Sequence, residues 1–370
     1  MRNTTILSNT ANGKGNTGQL GAGGGIFSSD TGRLTVSDSF FFDNVSQGDK
    51  GGAGIHSCGA LTVTDSIFRG NVGQNNGDGG GIQTPAGTAL IMNSLFVSNT
   101  AGYGAAIDND GADTLTLINS QLIDNLGIRD GGAIDIDSGA VQTYSGDTFA
   151  NNRSPDGSGG AVWNNSSLTI RDSVFYGNIA GQVVTPTNEV GGAIYNSTGP
   201  MTITNSTLYN NIADKGGGIY NSNPLTVINT TLYSNTAVLG GIGGNLYLNS
   251  SVARLKNTLV ANGGPDDCAF VGGTLASLGH NLESANTCGF IAGGDITDTN
   301  PLLGPFGSNG GPTLSLPLLP GSPAIDHGDN AGCPAKDQRG GARPINGTCD
   351  IGAFEFGALV TRLFLPLAWR

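Results

Sequence analysis

Asp108, Asp110, Asp135 and Asp137 carry the chemistry this sequence can most readily offer. They form two Asp-x-Asp pairs, Asp108-Asn109-Asp110 and Asp135-Ile136-Asp137, and 135 − 108 places the pairs 27 residues apart. In an extended chain, residues two apart lie on one face about 6.6 Å from each other, and like positions on neighbouring strands lie about 4.8 Å apart. If the two segments are adjacent strands, the four carboxylates form a two-by-two patch on the outward face. Like charges at that spacing repel by roughly 3.5 kcal/mol at an effective dielectric near 20. Such a patch holds a cation, carries raised pKa values or spreads into water. Hard carboxylate oxygens suit calcium, with Asp108, Asp110, Asp135 and Asp137 as ligands. Two carboxyls about 5 to 9.5 Å apart also meet the requirement of a glycosidase, with Asp108 and Asp135 as the catalytic pair. The third reading, favoured here, is an exposed face that tolerates acids in an acidic protein.

Whether the segments are adjacent is a question of repeats. A Gly-Gly-x-(Ile/Val)-like segment followed by (Phe/Leu)-x-x-Asn recurs nine times, for example Gly131-Gly132-Ala133-Ile134 and Phe175-Tyr176-Gly177-Asn178. The closing asparagines are Asn44, Asn71, Asn99, Asn125, Asn152, Asn178, Asn211, Asn235 and Asn262, in steps of 27, 28, 26, 27, 26, 33, 24 and 27 residues. A period in this range marks a solenoid whose units bury their apolar faces only by stacking. Within one unit, Ala193-Ile194-Tyr195-Asn196 reads as a strand. Met201-Thr202-Ile203-Thr204 reads as a second with alternating apolar and polar residues, and Thr207-Leu208-Tyr209 as a third. Corners of Gly, Asn, Asp and Ser separate them, and no window shows helical periodicity. The expected fold is all-β: a single-stranded parallel β-helix of about nine to ten coils. The glycines permit positive φ at a corner, and the closing Asn faces inward, linking coils through its amide. The residue after the core Ile forms an outward row: Phe27, His56, Gln83, Asp108, Asp135, Trp163, Tyr195, Tyr220, Tyr247. Trp163, Tyr195 and Tyr220 on that row would offer a platform for sugar rings.

Net charge −12 and the absence of a basic cluster argue against nucleic acid as a partner. No apolar run reaches the roughly 18 residues of a membrane helix. Cys268 and Cys288 bracket one loop and Cys333 and Cys349 another, while Cys58 stands alone in a repeat. Four cysteines allow three connectivities and a metal site is the rival, but without any Cys-x-x-Cys two short-range disulfides are favoured, implying an oxidising compartment. The opening Asn3-Thr4-Thr5-Ile6-Leu7-Ser8-Asn9 nearly repeats Asn229-Thr230-Thr231-Leu232-Tyr233-Ser234-Asn235. The chain is therefore expected to begin inside a coil, as a piece of a longer exported protein whose signal peptide is missing.

The Gly-Gly-Ala-Ile and Phe-x-x-Asn pairing (Phe41 to Asn44, Phe68 to Asn71, Phe96 to Asn99, Phe175 to Asn178) resembles the repeat of bacterial polymorphic outer-membrane proteins, surface β-helices that include adhesins. The segments Asn300-Pro301-Leu302-Leu303-Gly304-Pro305, Asn309-Gly310-Gly311-Pro312, Leu319-Pro320-Gly321-Ser322-Pro323-Ala324-Ile325-Asp326, Asp337-Gln338-Arg339-Gly340 and Asp350-Ile351-Gly352-Ala353-Phe354-Glu355 are similar to the end of bacterial choice-of-anchor β-helix proteins. The resemblance covers roughly residues 3 to 356. It implies right-handed coiling of the pectate-lyase-like kind and export to the bacterial surface, with no characterised reaction.

The resulting division is β-helix repeats over 1–299, a disulfide-stapled, loop-rich cap over 300–357 and a short apolar tail over 358–370. In the cap, Asp326, Asp337, Arg339, Asp350 and Glu355 read as an ion-paired network. His56 and His280 lack a Ser or Cys partner in motif context, His327 sits in a loop, and Arg129 and Asp130 read as a solvated turn. The functional reading is a non-enzymatic secreted or cell-surface protein (adhesin, stalk or glycan-binding scaffold), monomeric, with surface glycans or a neighbouring cell surface as partner. It takes no cofactor, calcium being the alternative. The rival is a polysaccharide lyase or glycoside hydrolase using the aspartate patch. Against it stands the shortness of the corners, of which Gly181 to Val190 is the longest insertion.

Overall fold

A computed structural model describes residues 1–12, 22–29, 32–48, 51–75, 77–111, 114–139, 141–182, 188–238 and 240–360. The centre of the insertion between Gly181 and Val190, and most of the apolar tail, lie outside the described residues. The described residues contain strands and turns and no helix, and hence no helix long and apolar enough to cross a membrane. Each coil contributes one strand to each of several parallel sheets. The register joins like repeat positions, as Ile107 pairs with Ile134, Ile134 with Val162 and Val162 with Ile194. The fold is a parallel β-solenoid.

Among the described residues the sheets number four where three strands per coil were expected, with 11, 10, 10 and 9 strands. The additional strand is a two-residue piece directly after the closing asparagine, such as Val72–Gly73, Thr100–Ala101 and Leu126–Gly127. It is too short to show a period-two pattern. Elsewhere the alternation holds. Met201 and Ile203 are buried and the threonines between and after them are half-buried. The rings of Phe41, Phe68 and Phe96 stack through the interior at 4.5 and 4.7 Å, and Phe149 and Phe175 at 4.3 Å. Stacking places each ring on an identical ring one coil away, so the core extends by addition.

Three of the corners in each coil turn through a residue with φ near 45–75°. In coil five these are Gly131 (φ 57°), Gly146 (φ 73°) and Asn151 (φ 53°). The glycine of the repeat motif is required at the first. A Cβ on Gly131 would lie 2.2 Å from the Ile134 carbonyl oxygen, and one on Gly132 would meet the Gly160 carbonyl of the next coil at 2.0 Å. Side chains pair the backbone groups that the corners release. Asn99 donates from Nδ2 to Asn125 Oδ1 at 3.0 Å and to the Phe68 carbonyl of the coil before at 3.0 Å, while its backbone N–H also donates to Asn125 Oδ1, at 3.1 Å. The same three bonds recur from Asn44 to Asn211. The ladder does not end at Asn262, which is exposed and donates to the Tyr233 hydroxyl. Asn235 instead donates to Asn245 Oδ1 at 2.7 Å, and Asn245 to Asp267 at 2.7 Å. A second ladder runs through the other polar corner: the N–H groups of Ser39, Ser66 and Ser94 each donate to the serine hydroxyl of the next coil, and Ser120 N–H donates to Asp147 at 2.7 Å.

Residues 284–298 cover the last coil, where Phe290 joins the main core and Cys288 is bonded to Cys268. Residues 300–357 lie along the flank of the solenoid. Ala324, Leu318, Ile351 and Phe354 pack with Leu259, Ala261 and Leu282 in a second core. Gln338 accepts from Thr207 Oγ1, Asp350 O accepts from Asn229 Nδ2, and Phe306 stacks on Tyr209. A second disulfide joins Cys333 to Cys349.

Asn99→Ala and Asn178→Ala should each cost about 1–3 kcal/mol in urea melts, because each removal strands buried N–H and C=O groups of the preceding coil. A loss below about 0.5 kcal/mol would show the amides are dispensable. Peptide mapping without reductant should recover Cys268–Cys288 and Cys333–Cys349, with Cys58, a buried thiol outside both disulfides, carried as an unlinked peptide.

Candidate functional site

The outward row at coils two to five differs from the rest of the solenoid in being polar and enclosed. Asp108 and Asp135 are adjacent in register, as expected. Their expected exposure is wrong: they are 1% and 2% accessible, and His56 and Gln83 on the same row are 2% and 0%. The row still points away from the core, since the half-buried Trp163 and Tyr195 continue it. What encloses the short side chains is the pair of positions flanking them. Gln83 Nε2 donates to Asp78 Oδ2 on one side at 3.2 Å and to Asp110 Oδ2 on the other at 3.0 Å, drawing these carboxylates across the row. Gln83 Oε1 can only accept, so His56 donates to it from Nδ1, at 2.7 Å, and the His56 Nε2 left as acceptor faces Cys58 Sγ at 3.3 Å. The sequence reading gave His56 no such partner.

The cluster that results is not the two-by-two patch. Oxygens of Asp78, Asp108 and Asp110 lie within 4.8 Å of one another, whereas Asp137 is exposed. Asp78 was missed although its place, directly before a repeat glycine, is the one Asp130 holds two coils on. Burial raises the Asp108 carboxyl well above the usual range, with Asp110, Asp135 and Asp78 adding to it. Burial also raises Asp135, followed by the charges of Asp137 and Asp130. Among the buried side-chain atoms without a hydrogen-bond partner are Asp108 Oδ2 and Asp135 Oδ1.

The other candidates have structural employment. Asp130 accepts from Ser158 N–H at 2.8 Å, and Arg129 donates to the Tyr103 hydroxyl at 3.1 Å. His280 donates to the His327 carbonyl and His327 to that of Ile325. Trp163, Tyr195, Tyr220 and Tyr247 contact one another ring to ring at 6.2, 5.3 and 4.7 Å, and burial raises the Tyr220 hydroxyl to about 12. In the flanking segment, Asp337 pairs with Arg339 at 2.6 Å, and Arg343 Nε lies 3.0 Å from Glu355 Oε2. Arg339 also lies 3.5 Å above the Phe354 ring. Asp350 accepts backbone N–H groups from Asp326 and Phe356, so Asp326 joins this network through its backbone. The sequence reading omitted Arg343. Between this segment and the coils lies an open groove of about 550 Å³ lined by Asn119, Asp172, Lys336 and Arg339.

Comparison with protein-family models, with curated proteins and with solved structures finds no match to this chain.

Asp172, beside that groove, gives a pH test. Burial raises its carboxyl to about 6, against the lowering effect of the Asn205 amide, which donates at 3.2 Å. A carboxyl whose folded pKa exceeds its unfolded value contributes stability that is present at low pH and lost as pH rises from about 3.9 through about 6. Asp172→Asn should therefore reduce the stability lost between about pH 4 and pH 7, by on the order of 1–2 kcal/mol after allowance for solvent at this half-buried position. Urea titrations of both proteins across that range measure the difference.

Proposed function

We propose that this chain is a non-catalytic β-helix scaffold displayed outside the cell, of adhesin or stalk type, whose outward aromatic row contacts glycans. The observation that carries this reading is the burial of Asp108 and Asp135 at 1% and 2% accessibility. A glycosidase acid must come within hydrogen-bond reach of the glycosidic oxygen, and its partner must reach the opposite face of the sugar. Two carboxyls so fully covered do neither. The acids of the flanking segment are held by arginines and backbone N–H groups that a reaction would have to displace. Two disulfides favour an oxidising compartment, and the repeat motif's resemblance to polymorphic outer-membrane proteins points to bacterial surface display, with the choice-of-anchor-like segment along the flank. Trp163, Tyr195 and Tyr220 are half-buried. Their mutual contacts hold the rings in place while part of each remains open to a sugar, so little side-chain freedom is lost on binding.

Incubation with a panel of neutral and acidic polysaccharides should yield no new reducing ends and no unsaturated products. Affinity electrophoresis against the same panel should show retardation by at least one glycan, weakened about tenfold (about 1.4 kcal/mol) in Trp163→Ala/Tyr195→Ala. Turnover that disappears in Asp108→Asn or Asp135→Asn would overturn the scaffold reading in favour of the lyase or hydrolase. Absence of retardation throughout would remove the glycan contact.

A further inference from the structure

We propose that Asp78, Asp108 and Asp110 form a binding site for a single hard divalent cation, calcium by donor chemistry, beside the buried Asp135 of the next coil. The site differs from the one the Asp-x-Asp spacing suggests, since Asp78 enters it and the exposed Asp137 stays outside. Calcium holds oxygens at 2.3–2.6 Å, so ligands on opposite sides of one ion stand roughly 4.6–5.2 Å apart. The three oxygens of Asp78, Asp108 and Asp110 fall within 4.8 Å of one another, a separation one ion spans. The second observation concerns the inner pair. Asp108 Oδ2 and Asp135 Oδ1 are buried and accept no hydrogen bond, and their residues are 1% and 2% accessible. By comparison, Asp147 accepts from the N–H groups of Ser120 and Ser145, and Asp337 from Arg339; Glu283 also keeps Oε2 without a hydrogen bond, while its Oε1 accepts Cys288 N–H. A buried carboxylate oxygen without a donor is costly unless a cation or a proton meets it.

The surroundings favour the cation. Gln83 donates to both Asp78 and Asp110, and His56 fixes the orientation of the Gln83 amide. This is the outer layer of hydrogen bonds that holds ligands in place around a metal. All three donors are carboxylates, which select calcium or magnesium over softer metals. Magnesium demands near-octahedral geometry at 2.0–2.1 Å and retains water, so an enclosed cluster of this width suits calcium. The ligands come from coils three and four, so a bound ion would join two successive coils through their outward row, independently of whether that face binds glycans.

The test uses the full chain stripped with chelator, titrated calorimetrically with calcium chloride and, separately, magnesium chloride, with melting temperature followed in parallel. Expected are one saturable calcium event, weaker magnesium binding, and a melting temperature that rises with calcium concentration as mass action requires. Asp108→Asn should abolish both responses. Asp110→Asn, at a half-buried position, should weaken calcium at least tenfold and serves if the first variant does not fold. Asp137→Asn should leave binding unchanged. Absence of heat and of any melting shift in the folded wild-type protein up to millimolar calcium would overturn the proposal. So would calcium binding retained in Asp110→Asn and in whichever of Asp78→Asn and Asp108→Asn folds. A Asp108→Asn/Asp135→Asn variant that melts higher than the wild type, with neither responding to calcium, would show that protons neutralise the cluster.

Discussion

The buried asparagine ladder is the constraint on which the rest of the solenoid depends. A coil that closes on itself must turn at every corner, and the turns remove backbone groups from the sheet ladders. At the Asn corner one amide meets this need on both sides. Nδ2 donates back to a carbonyl of the preceding coil and forward to the next asparagine, and Oδ1 accepts the backbone N–H and the amide of the coil before. An amide with two donors and two acceptor positions matches that demand, which a hydroxyl or carboxylate cannot. The coils are thereby held in register, and with them the Phe stack inside and the Asp, Trp and Tyr row outside.

Where the ladder stops, the structure changes character. Asn245, in the bend between the glycine pair and the next strand, replaces the asparagine expected at 262 and passes the chain of bonds to Asp267. Asp267 accepts Gly263 N–H and the Ser284 hydroxyl, so the polar column ends on a carboxylate that collects donors from the closing loops. The Cys268–Cys288 disulfide and Phe290 finish the same end. Residues 300–357 then return along the flank, where buried arginine–carboxylate pairs stand in for repeat packing. A segment without periodicity has no stacked neighbour to satisfy it, and its polar groups must be paired individually.

The outward row shows how one repeat position supports different chemistry. Toward the C-terminal end it holds aromatic rings that contact one another. At coils two to five it holds an imidazole and an amide leading into carboxylates. The backbone register is the same in both stretches. Only the side chains differ, and the scaffold reading and the cation site draw on these two stretches separately.

The period of the asparagines, the alternation in segments such as Met201 to Thr204 and the glycine pairs determined by themselves that the chain stacks as parallel coils with Asn inward and Phe in the core. Those features are local, and stacking repeats each local choice along the axis. The fourth strand escaped because two residues carry no periodicity. Sequence also placed Asp108 beside Asp135, because equal spacing within a repeat becomes adjacency between coils. It could not decide their burial. Alternation says only that a side chain points away from the core. Whether it meets water depends on neighbours from other positions and other coils, here Gln83 reaching to Asp78 and Asp110. That bridge joins residues five and 27 apart in sequence, and only the folded chain brings them together across the row.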